Sequence, residues 1–190
     1  PEVPVTGLLA LWLPILLSAV AVFIASSIIH TMTPWHKHDF AALPDEAKTA
    51  AALRPLNIPP GDYHIPHPVT MAEIKSSGFD ENMKQGPVVI MTVLPNGPMT
   101  MGGSLMGWFV FCLVVSLLAG YAAGLTIAPG AAYMTVFRTV STVTFMGYAV
   151  AAWPQTIWYK KNVGTTIRGA IDELIFGLLT AGVFGWLWPR

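Results

Sequence analysis

The chain has 190 residues with ten basic and ten acidic side chains, so its formal net charge is zero, and charged residues make up only 11% of it against about 25% in soluble domains. With 54% hydrophobic residues and a mean hydropathy of +0.58, it is neither a disordered chain nor a nucleic-acid-binding domain, and it reads as a membrane protein. Cys112 is the single cysteine, so the chain alone builds no internal disulfide and no Cys-based metal or iron–sulfur site.

The first apolar segment, Gly7 to Ile29, carries no charge and is long enough to cross about 30 Å of hydrocarbon, with Pro14 placed to bend it. The preceding PEVPVT lacks Lys and Arg, which favours a retained helix over a cleaved signal peptide. Residues 32–102 then hold 12 of the 20 charges and read as a small mixed extramembrane domain. Within it LPDEAKTAAAL, Leu43 to Leu53, is a helix stopped by Pro55, and the proline-rich NIPPGDYHIPHP, Asn57 to Pro68, is extended and irregular. Short helices are expected over Thr70 to Ser76 and Asp80 to Gln85, and a strand over Pro87 to Gly97. A lone strand is unstable, so this one must pair with the Tyr63 segment, pair with another chain, or lie on the membrane surface.

Three more spans follow in residues 103–190: Ser104 to Leu125, uncharged; Tyr133 to about Trp158, with Arg138 near its start and Pro154 near its end; and Ile167 to Trp188, which takes in Asp172 and Glu173. The expected fold is therefore an all-α integral membrane protein with four transmembrane helices, the first in residues 1–31, and a small mixed domain between spans one and two. Lys160 and Lys161 occupy the short loop between spans three and four, on the same side as residues 32–102. The positive-inside rule thus puts residues 32–102 in the cytoplasm and both termini outside. Trp12, Trp35, Trp108, Trp153, Trp158, Trp186 and Trp188 fall near span ends, as interfacial aromatics do.

Every histidine lies between His30 and His67. The pairs His36 with His38 and His64 with His67 offer four imidazole nitrogens to a metal, although no Cys and no His-Glu-x-x-His helix supports them. The competing reading makes His30, Trp35, His36 and His38 interfacial residues at a helix end. Ionisable residues inside spans are functional candidates by default. Arg138 shares a face with Thr135, Ser141 and Thr142, which points it into protein, and Glu173 shares one with Gly169, Gly177 and Thr180. Arg168 precedes Asp172 by four residues, the spacing of an ion pair within one helix. On the structural alternative, Arg138 snorkels outward and Glu173 binds Arg168 or a backbone amide. Small residues at fourfold spacing, Gly103 with Gly107, Gly120 with Gly124, and Gly177, Ala181 and Gly185, suit close helix packing. No phosphate loop, nucleophile motif, paired-carboxylate site or zincin motif is present, so an enzyme is not expected.

The segments TPWHKHDF, LRPLNIPPGDY, GPVVIMTVLPNGPM and WYKKNVGTTIRGAIDELIFGLLTAGVFGWLWP together resemble an uncharacterised family of small bacterial multi-span membrane proteins. The resemblance implies a bacterial inner membrane and brings no activity, cofactor or catalytic residue with it. The first functional expectation is a non-enzymatic subunit or scaffold that assembles through its helices, as a homo-oligomer or inside a larger membrane complex. Its partners would be membrane lipids, itself or other subunits, and not nucleic acid. The alternatives are a small transporter or channel using Arg138 and Glu173, and a metal-handling protein using the His30–His67 cluster. No cofactor is expected, while a lipid, quinone or pigment between helices is compatible with the sequence.

Overall fold

A computed structural model describes residues 5–98 and 100–190; the first four residues of the PEVPVT segment and Met99 lie outside the described residues. In chain order its elements are α1 (Trp12–Met32), α2 (Glu46–Leu53), β1 (Gly61–Ile65), α3 (Met71–Ile74), α4 (Ser77–Gln85), β2 (Val89–Val93), α5 (Gly102–Gly124), α6 (Tyr133–Ala149), α7 (Trp153–Tyr159) and α8 (Val163–Leu187). They fall into two compact units, one of Pro1–Phe40 with Thr100–Arg190 and one of Ala41–Met99.

The first unit is a ring of helices in which α1 packs on α5, α5 on α6, α6 on α8 and α8 on α1. Among the described residues three helices are long and apolar enough to cross a membrane: Leu8–Met32, which adds a 3-10 turn to the start of α1, Gly102–Gly124 and Val163–Leu187. Large apolar side chains such as Ile24, Leu118 and Trp186 face outward without protein cover, the arrangement a lipid solvent permits. The expected third span is not one helix. It divides into the 17-residue α6, a 3-10 turn at Val150–Ala152 and α7. Pro154 supplies the cause, because its ring clashes with the carbonyl four residues back and it has no N–H to continue the ladder. The four-span expectation thus holds for three helices, and the fourth apolar segment is broken.

Close helix approach explains the glycine stripes. A Cβ on Gly120 would sit 3.2 Å from the Phe184 ring, one on Gly177 3.3 Å from Thr144 Oγ1, and one on Gly185 2.6 Å from the Tyr133 ring. At Gly124 it would lie 2.5 Å from the Thr6 carbonyl, because Thr6 N–H donates to the Gly124 carbonyl at 2.9 Å and pins the start of the chain there. Gly103 and Gly107 differ: added Cβ atoms there meet nothing within 4 Å. The buried serine and threonine hydroxyls inside the bundle are paired, as Ser18 Oγ donating to Ser116 Oγ at 3.1 Å and Thr180 Oγ1 to the Phe176 carbonyl at 2.9 Å illustrate.

In the second unit β1 and β2 pair antiparallel, with Gly61 opposite Val93 and Ile65 opposite Val89, so the strand expected over Pro87 to Gly97 does find the Tyr63 segment. Asp45 Oδ1 accepts the Lys48 N–H at 2.8 Å and caps α2, which starts three residues later than the Leu43 expected from the pattern. Thr70 caps α3 while Glu73 Oε2 takes the Val69 N–H at 2.7 Å, and Ser76 caps α4. No described residue of this unit is buried, and Leu43, Leu56, Met71 and Leu94 are exposed.

Candidate metal centre

His30 sits in the last turn of α1, where 3.6-residue periodicity brings its Nδ1 back to within 2.9 Å of the Ser26 carbonyl. Two successive tight turns follow, with the Lys37 N–H donating to the Pro34 carbonyl and the Asp39 N–H to the His36 carbonyl. This geometry folds His36 back so that its ring stacks on that of His30, centroids 4.3 Å apart and planes 9° apart. It also sets His36 Nδ1 2.6 Å from Asp39 Oδ2.

The first turns of α8 complete the cluster. Asn162 Oδ1 accepts the Gly164 N–H at 2.7 Å and fixes the start of the helix, which presents Arg168 and Asp172 to the residues that follow α1. Arg168 donates from Nε to Asp39 Oδ1 at 2.9 Å and from Nη2 to the same oxygen at 2.5 Å. Asp172 Oδ2 lies 2.6 Å from His36 Nε2, with the Asp172 side chain 4% exposed. Burial raises the Asp39 carboxyl, but hydrogen bonds from Arg168 and His36, together with their charges, outweigh it and hold the group below the usual carboxylate range. Asp39 therefore stays ionised and orients His36.

One ligand atom each from His30, His36 and Asp172 lies within 4.8 Å of the others, the one such group of three His, Cys, Asp or Glu among the described residues. In both histidines Nδ1 has an oxygen partner, the Ser26 carbonyl for His30 and the Asp39 carboxylate for His36, so Nδ1–H donates outward and Nε2 keeps its lone pair for a cation. His36 Nε2 and Asp172 Oδ2 lie 2.6 Å apart, close enough for one cation to join them. Ligands about 2.1 Å from a tetrahedral ion stand about 3.4 Å apart, so an ion held there would open that contact by about 0.8 Å.

A cavity of about 300 Å³ adjoins the three groups and is bounded also by Glu173, Trp108 and Phe176. Glu173 Oε2 is buried without a hydrogen-bond partner. An orphaned carboxylate oxygen in such a place is costly unless a proton or cation meets it. Asp39 and Arg168 cancel each other's charge, so Asp172 and Glu173 leave the site two negative charges in excess when both are ionised, the balance a divalent ion restores.

Several expectations need correction. Arg168 does not pair with Asp172 inside α8: Asp39 comes within reach of its guanidinium, and His36 takes Asp172. Glu173 Oε2 has neither Arg168 nor a backbone amide as a partner among the described residues. Arg138 is exposed on α6, with no hydrogen bond or ion pair from its side chain among the described residues, because the buried face of α6 runs through Val136, Val140 and Thr144. Of the histidines, His36 joins His30, His38 is exposed, and His64 and His67 belong to the second unit, where His64 Nδ1 lies 2.7 Å from the Pro66 carbonyl. No protein-family model, curated protein or solved structure matches the chain.

Proposed function

We propose that this chain is an integral membrane protein that binds one divalent transition-metal ion through His30, His36 and Asp172, with Glu173 facing the ion from the same cavity. The observation that carries the proposal is the convergence of the three ligand atoms, both histidines oriented through Nδ1, beside an unpartnered buried carboxylate oxygen. Two imidazoles and carboxylates suit Zn²⁺, Fe²⁺ or Cu²⁺ better than Mg²⁺ or Ca²⁺, which favour all-oxygen sites. The test is metal analysis of protein purified without chelators or a His-tag, followed by Co²⁺ titration read by visible absorption. One equivalent bound, and lost in His36→Ala, is expected; failure to take up Zn²⁺, Fe²⁺, Cu²⁺ or Co²⁺, or uptake unchanged by His36→Ala, refutes it.

A second reading, that the chain is a subunit or scaffold of a larger assembly, is favoured by the Ala41–Met99 unit. With no buried residue among those described, it has little core to stabilise a two-stranded sheet alone, and a partner surface would supply one. The open glycines Gly103 and Gly107 leave α5 room for a neighbouring helix. Mass determination of the gently extracted native particle tests this reading, and a lone 20.5 kDa chain would overturn it.

A further inference from the structure

A groove of about 570 Å³ runs between α1 and α8 on the side of Ile29, Ile171 and Ile175, and its polar rim is formed by Trp35, Lys37 and Arg168. We propose that it holds one anionic phospholipid, acyl chains on the three isoleucines and phosphate on Lys37 and Arg168. This inference is independent of the metal reading.

Charge and hydrogen-bond capacity set the choice of occupant. Lys37 Nζ has no hydrogen-bond or ion-pair partner among the described residues. Arg168 spends Nε and Nη2 on Asp39 and Nη2 also on Thr165, which leaves both Nη1 N–H groups without a partner among the described residues. A phosphate diester can accept from Lys37 Nζ and from the Nη1 N–H groups of Arg168 together. The negative groups nearby are turned away. Asp172, which also borders the groove, directs its carboxylate at His36 and is 4% exposed, while Asp39 is neutralised by Arg168. Below the rim the surface is apolar and belongs to helices long enough to span a membrane, so the groove calls for an amphiphile with one anionic end, and Trp35 follows the end of the Leu8–Met32 helix by three residues, where interfacial aromatics are common. A free phosphate would leave the isoleucine floor uncovered.

The test is native mass spectrometry of the full chain in neutral detergent, titrated with phosphatidylglycerol and with phosphatidylcholine of identical acyl chains. Phosphatidylglycerol is expected to bind at least about fivefold more tightly, and Lys37→Ala to weaken phosphatidylglycerol about fivefold and phosphatidylcholine, whose choline cation offsets its phosphate, by less. Ile171→Trp, which fills the floor from an exposed position, is expected to weaken both lipids. Equal affinity for the two lipids, no effect of Lys37→Ala, or displacement of phosphatidylglycerol by millimolar inorganic phosphate would each overturn the proposal.

Discussion

Asp39 touches no metal in the proposed site, yet its replacement by Asn should weaken metal binding about 10- to 100-fold, or about 1.4–2.8 kcal/mol. As a carboxylate it accepts His36 Nδ1–H on one oxygen and two Arg168 N–H groups on the other. An amide has one acceptor oxygen and one donor NH₂, so it cannot serve both sides. If the NH₂ faces His36, Nδ1 must become the acceptor, the ring proton moves to Nε2, and the atom that should bind the ion is blocked. If it faces Arg168 instead, two donors meet and the guanidinium, with a side chain 25% exposed, loses its counter-charge in a partly desolvated place. Either arrangement perturbs the site while every ligand is still present. Zn²⁺ affinity measured by competition with a chelating dye, on wild type, Asp39→Asn and His36→Ala, separates the cases. Affinity in Asp39→Asn within twofold of wild type, with a native circular dichroism spectrum, would refute the orienting role of Asp39.

The depressed Asp39 carboxyl also gives a pH signature: its folded-state value lies below the ordinary 3.8, so its contribution to stability is full above that value and is lost only as pH falls through the lower one. The melting-temperature gap between wild type and Asp39→Asn should therefore be constant from about pH 7 to pH 5 and close only well below pH 4; a gap that closes near pH 6 would refute the assignment. Gly124→Ala, which drives a Cβ to 2.5 Å from the Thr6 carbonyl, should cost about 1–3 kcal/mol, whereas Gly107→Ala, with open space around it, should be near neutral within the isolated chain. Thermal melts in one detergent compare the two, and equal stabilities would contradict the close α5–Thr6 approach.

The legible parts of this fold are those fixed by local chemistry. Segment length and high hydropathy identify the helices at Leu8–Met32, Gly102–Gly124 and Val163–Leu187, and a β-branched run before a Pro-Asn-Gly turn marks β2. The break after Ala149 was within reach, since Pro154 lies inside the expected third span, but a proline near a span end reads equally as a boundary or a kink. The site was legible only in halves. Buried ionisable residues at Asp172 and Glu173 call for partners, and the nearest base by helical spacing is Arg168. What spacing within one helix cannot show is competition from His36, 136 residues away, and Asp39, 129 away from Arg168, which depends on α1 and α8 being neighbours. One signal was available. In Trp-His-Lys-His-Asp, His36 and Asp39 stand three apart just past a span end and a proline turn, a spacing that one tight turn converts into a carboxylate-oriented imidazole. An acid three residues after a histidine at the mouth of one span, and an unmatched acid early in another, are complementary halves of one site, and helix adjacency is the information that joins them.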